Sequence, residues 1–133
     1  MRIVIDTNVL ISAFIGRGRS HQVFEHCVRN HQIVTSQFVL DELQEKLIDK
    51  FKYSEEAAHE VVALLQSTAE IIAPQTLASS VCRDSDDDNI LATAVTGQCQ
   101  LIITGDKDLL VLQRINDIAI VNPATFSEMD GVD

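Results

Sequence analysis

The residues that could do chemistry here are acids placed beside apolar runs. Asp6 directly follows the β-branched run from Arg2 to Ile5. Asp106 follows Leu101-Ile102-Ile103 after Thr104-Gly105, with Asp108 close behind. The run Asp84-Ser85-Asp86-Asp87-Asp88 opens a helical stretch, and Glu42 sits in another helical pattern beside Phe38 and Val39. Converging carboxylates repel one another, and burying them raises their pKa values. A divalent cation removes that cost. Oxygen ligands without a His or Cys pattern favour Mg²⁺ or Mn²⁺ over Zn²⁺. Such a site suits phosphodiester cleavage: the ion lowers the pKa of a water, orients it and stabilises charge on the phosphate. A free carboxylate can take the water's proton.

Each acid also has a purely structural use. Asp6 can cap the helix that begins near Asn8, and Asp86 can cap the helix that runs from Asp87 to Thr96. Asp84 or Asp88 can be solvated at the positive end of that helix. Glu42 can be a boundary residue, and Asp106 or Asp108 a turn or cap residue.

Positioning the acids requires an alternation of short apolar strands and helices. Strands are expected at Arg2 to Ile5, Ile33-Val34, Glu70 to Ala73, Leu101 to Ile103 and Ile118 to Val121. Helices are expected over Asn8 to Ile15, from a Ser20 cap, from Ser36, from Ser54, over Asp87 to Thr96, over Lys107 to Gln113 and from Pro123. Gly97 should end the fifth of these. The segment from Pro74 to Asp86 reads as a polar loop. Strands apolar on both faces argue for an α/β domain with a largely parallel sheet covered by helices on both sides. Ligands bind such sheets at the carboxyl ends of the strands, where these acids fall.

A chain of 133 residues, 46% hydrophobic and 23% charged, fits one soluble domain spanning residues 1–133. No apolar run approaches the roughly 20 residues of a membrane span, and the start of the chain lacks a signal-peptide pattern. The expected compartment is the cytoplasm. The net charge of −10 disfavours nucleic-acid binding through the protein's own field. Acids gathered at a metal site, which would bridge them to a polyanion, lift that objection. Cys27, Cys82 and Cys99 form no CxxC, and His21, His26, His31 and His59 show no zinc-ligand spacing, so all are expected to be structural or surface residues.

Three segments together resemble PIN-domain nucleases: Val4-Ile5-Asp6-Thr7-Asn8-Val9-Leu10, Asp86-Asp87-Asp88-Asn89-Ile90-Leu91-Ala92-Thr93-Ala94, and Ile103-Thr104-Gly105-Asp106-Lys107-Asp108-Leu109-Leu110. The similarity is greatest to the bacterial and archaeal VapC-like toxin group. It implies a sheet of about five parallel strands between helices and a metal-dependent ribonuclease. By this resemblance Asp6, Glu42, Asp87 or Asp88, and Asp106 are the catalytic acids. The metal set is Asp6, Glu42, Asp87 and Asp106, holding Mg²⁺ or Mn²⁺. Asn8, Thr104 and Asp108 would orient these acids by hydrogen bonds. Many toxin-type members instead carry Asn at the position of Asp106, with a later Asp before Phe.

The resemblance further implies an RNA substrate, single-stranded or structured, and a protein antitoxin that reaches the acids with Arg or Lys. Arg17, Arg19 and Lys107 are candidate phosphate contacts. Val61 to Leu65 can supply a homodimer face or simply pack on the sheet. Other readings fit worse. A haloacid-dehalogenase-type phosphatase needs an Asp where Asn8 stands. A receiver domain needs an Asp after the third strand, where Pro74 stands. An EF-hand loop fails at Asn89 and Val95. The rival from another class is a non-catalytic binding or scaffold module on the same fold.

Overall fold

A computed structural model describes residues 1–74 and 85–132. The expected polar loop falls largely on 75–84. That segment, with Cys82 and Asp84, lies outside the described residues, as does the side chain of Asp86.

The elements run β1 (Arg2–Ile5), α1 (Thr7–Ile15), α2 (Arg19–Asn30), β2 (Gln32–Ser36), α3 (Gln37–Asp49), α4 (Glu55–Thr68) and β3 (Ala69–Ile72). Then follow α5 (Ser85–Thr96), β4 (Leu101–Ile103), α6 (Lys107–Leu110), β5 (Arg114–Ile115), β6 (Ile118–Val121) and α7 (Pro123–Asp130). One sheet has the order β3-β2-β1-β4-β6-β5. All its pairs are parallel except β5 with β6. This is the expected α/β architecture with one extra strand. β5 joins β6 through Asn116 and Asp117, with Ile115 opposite Ile118. Asn116 takes a left-handed φ of 51°, which Asn tolerates better than most residues and which such tight turns need.

The central strands β1 and β4 are buried, as expected for a sheet covered on both faces. Val39, Leu43 and Leu47 of α3 and Ala58, Val62 and Leu65 of α4 also lie in the core. The segment Val61 to Leu65 therefore packs inward at Val62 and Leu65 and leaves Leu64 exposed. Burial pushes the Cys27 and Cys99 thiols up to about 12 and about 11, so both stay protonated at neutral pH.

Several helix ends differ from the sequence reading: α1 starts at Thr7 rather than Asn8, and α5 at Ser85 rather than Asp87, so Asp86 falls inside the helix and not at its cap. The second helix starts at Arg19 with Gly18 at its cap, two residues before the expected cap Ser20. The sixth stops at Leu110 instead of Gln113, which has a left-handed φ of 60°. α5 ends at Thr96 with Gly97 next, as expected, and the left-handed residue there is Gln98, φ 53°. Gly97 is needed for space: a Cβ there would come within 2.8 Å of Val34 Cγ1 and 2.9 Å of the Thr93 carbonyl.

Candidate active site

β1 and β4 are neighbours in register, so the residues that follow them meet at one end of the sheet. Ile5 lies opposite Ile103, and the Asp6 N–H donates to the Ile103 carbonyl at 2.9 Å. Asp6 occupies the cap position of α1, yet its side chain makes no cap hydrogen bond to the helix. Instead the Thr104 hydroxyl donates to Asp6 Oδ2 at 2.7 Å, and the same Thr104 oxygen accepts from the Asp106 N–H at 3.0 Å. Thr104 is fully buried, so this hydroxyl ties the end of β1 to the turn after β4. Asp106 does cap its helix, accepting from the Asp108 N–H at 2.8 Å. The cap role and membership of the acidic group coexist there.

Asp87, Asp106 and Asp108 each bring a carboxylate oxygen to within 4.8 Å of the others. Asp87 is 4% exposed, whereas Asp88 is half-buried and outside this group. Consecutive helix positions point about 100° apart, which separates the two. Burial raises the pKa of Asp6; the Thr104 hydroxyl and Thr7 N–H oppose it, and the negative charge of Asp106 adds to it. Asp6 is thus within electrostatic reach of the three-carboxylate group.

Glu42 is half-buried on α3 and also outside the three-carboxylate group. One turn further along the same face, Lys46 Nζ donates to Asn8 Oδ1 at 3.2 Å. Asn8 therefore pairs with a lysine. Lys46 is close enough to hold the Asp6 pKa down somewhat. The sequence reading did not single out Lys46, although its i,i+4 spacing from Glu42 places the two on one helix face. Beneath the site, the Thr93 hydroxyl lies 3.2 Å from Ser36 Oγ and 2.8 Å from the Asn89 carbonyl. Ser36 thus anchors α5 to the end of β2 and makes no side-chain cap to α3.

The basic candidates are less tightly placed. Arg17, Arg19 and Lys107 are exposed. Arg17 lines a separate groove of about 640 Å³ with Phe14, His21, Glu25 and Leu64.

The donor set at the carboxyl ends of β1 and β4 is all oxygen, from carboxylates and a hydroxyl. That chemistry fits a hard divalent cation such as Mg²⁺ or Mn²⁺. Among the described residues no helix is long and apolar enough to cross a membrane.

The chain is 33% identical over 131 aligned positions to an uncharacterized protein of Methanocaldococcus jannaschii, covering 92% of this chain and 81% of that one. Its fold resembles a VapBC complex of Rickettsia felis bound to a promoter DNA fragment. There the TM-score is 0.65 at 18% identity, over 92% of this chain and 98% of the other. It also resembles VapC20 of Mycobacterium tuberculosis, described as a sarcin–ricin loop cleaving toxin. That match has a TM-score of 0.61 at 15% identity, over 88% and 98% of the two chains. A toxin–antitoxin complex from Klebsiella pneumoniae matches with a TM-score of 0.62 at 24% identity, over 91% and 97%. The PIN domain family model matches residues 2–108, which include every acid of the site, and the chain belongs to that family.

Proposed function

We propose that this protein is a metal-dependent endoribonuclease and the toxin component of a toxin–antitoxin pair. The observation that carries the reading is the convergence of Asp6, Asp87, Asp106 and Asp108 at one end of the sheet, with Asp6 and Asp106 joined through Thr104. Membership of the PIN domain family and the likeness to a sarcin–ricin loop cleaving toxin support it. Asp6, Glu42, Asp87 and Asp106 would hold Mg²⁺ or Mn²⁺. When bound, the ion would activate water and offset charge developing on the phosphate. Thr104 keeps Asp6 oriented, and Asp108 crowds the group with a further negative charge. A carboxylate oxygen not engaged by the ion accepts the proton of the attacking water.

The likeness to VapBC complexes supports a protein antitoxin as partner. Its basic side chains would neutralise the acids in place of substrate. The test is cleavage of labelled single-stranded and hairpin RNA in Mn²⁺, with EDTA and an Asp106→Asn variant as controls. The reading expects cleavage that both controls abolish. Intact RNA across the panel, from protein that also binds no Mn²⁺, would favour the scaffold module instead.

A further inference from the structure

At the opposite, amino-terminal edge of the sheet is a second convergence of ligand atoms. His26 lies in the last turns of α2, His31 caps that helix just before β2, and Asp130 ends α7. His26 Nε2 and His31 Nε2 both meet the same Asp130 oxygen, Oδ2, at 2.7 and 2.6 Å. All three ligand atoms lie within 4.8 Å of one another. Both imidazole rings stand against the buried Phe126 ring, with centroids 6.0 and 6.2 Å away, which fixes their planes. The sequence reading set these histidines aside because their spacing is i,i+5. The chain leaves the helix at His31, and that break turns the second ring back toward the first.

We propose that His26, His31 and Asp130 form a Zn²⁺ site, separate from the acidic group and unrelated to catalysis, that fastens α7 to α2 and the start of β2. Two imidazoles and a carboxylate are ordinary zinc ligands, bound at about 2.0–2.2 Å. Tetrahedral ligands at those bond lengths lie about 3.3–3.6 Å apart, so the two contacts with Asp130 would open by roughly 0.6–1 Å to surround an ion. The fourth position is left for water, since Asp130 is partly exposed. The outer nitrogens already have neighbours. Asn30 Nδ2 lies 3.3 Å from His26 Nδ1, and the Met1 amino nitrogen lies 3.0 Å from His31 Nδ1. When zinc takes Nε2, the imidazole proton moves to Nδ1; a turned Asn30 amide accepts it from His26, and the Met1 amino group accepts it from His31 after releasing one of its own protons to solvent. The neighbouring Cys27 side chain is fully buried in the core and is not one of the three converging ligand groups.

The experiment titrates the full chain with Zn²⁺ against a chromophoric chelator, in excess Mg²⁺ to occupy the oxygen site. Imidazole NMR signals are followed in parallel. One tightly bound zinc is expected, with His26 and His31 signals shifting and those of His21 and His59 unmoved. His26→Gln should weaken binding by about 100-fold or more, since even an outer-shell partner is worth that order. Asp130→Asn, which keeps a hydrogen-bond acceptor and hence the fold, should weaken it similarly, with an unchanged circular dichroism spectrum. Binding that leaves the two histidine signals in place, or that both variants retain at full affinity, would overturn the proposal. The group would then be a hydrogen-bonded clasp only. RNA cleavage is not the readout, so this test and that of the nuclease reading fail independently.

Discussion

Thr104 is the residue on which the site's geometry turns, because one buried hydroxyl serves both Asp6 and Asp106. Thr104→Val keeps the shape and removes both bonds. We expect a loss of about 1–3 kcal/mol in stability, the cost of leaving buried polar groups unmet, together with slower RNA cleavage. Urea unfolding and single-turnover rates check the two parts separately. Asp6 gives a pH prediction with a definite sign. Burial raises its folded-state pKa above the ordinary 3.8. A raised carboxylate pKa means the folded state binds the proton more tightly. Its ionisation therefore costs stability as pH rises from 3.8 through the folded value. In EDTA, Asp6→Asn should be more stable than the wild type at neutral pH, the gap narrowing toward acid. Urea midpoints across a pH series would show this. Lys46 supplies the nearby positive charge, and Lys46→Met in EDTA should widen that gap by removing one of the contributions that hold the Asp6 pKa down.

At the scale of elements, close approach and caps decide more than propensity. The α5 helix reaches the sheet where Gly97 leaves no room for a side chain. Gly97→Ala should cost about 1–3 kcal/mol through overpacking against Val34 and the Thr93 carbonyl, read as a lower urea midpoint at unchanged slope. The Ser54 cap of α4 was legible from sequence and is present, with Oγ accepting from the Ala57 N–H at 3.0 Å. The five parallel strands were legible too, because each is a short apolar run followed by a polar residue or a proline. β5 was not, since Arg114–Ile115 is too short to show alternation. Its signal was the Asn116-Asp117 pair between two isoleucines. The missed start of α2 has the same kind of cause: Gly18 caps through its backbone, and Ser20 only resembles a cap.

At the scale of the whole molecule, the proximity of Asp6 and Asp106 was legible because strand order in a parallel sheet brings β1 and β4 together whatever separates them in sequence, whereas Glu42 lies outside the three-carboxylate group. What sequence left open was which neighbour points inward. The fold answers by burial, putting Asp87 and not Asp88 beside Asp106 and Asp108. His26, His31 and Asp130 were illegible for the converse reason, as their meeting depends on a helix end and a distant carboxylate. A net charge of −10 disfavours a polyanion substrate unless positive charge is supplied at the site, by a bound cation or by a partner. The most direct measurement pairs Mn²⁺ binding with RNA cleavage for the wild type, Asp6→Asn, Asp87→Asn and Asp106→Asn, each confirmed folded. The account predicts that the wild type binds Mn²⁺ and cuts RNA, and that each variant loses cleavage along with metal affinity. RNA cut at an undiminished rate by folded variants that no longer bind Mn²⁺ would contradict it.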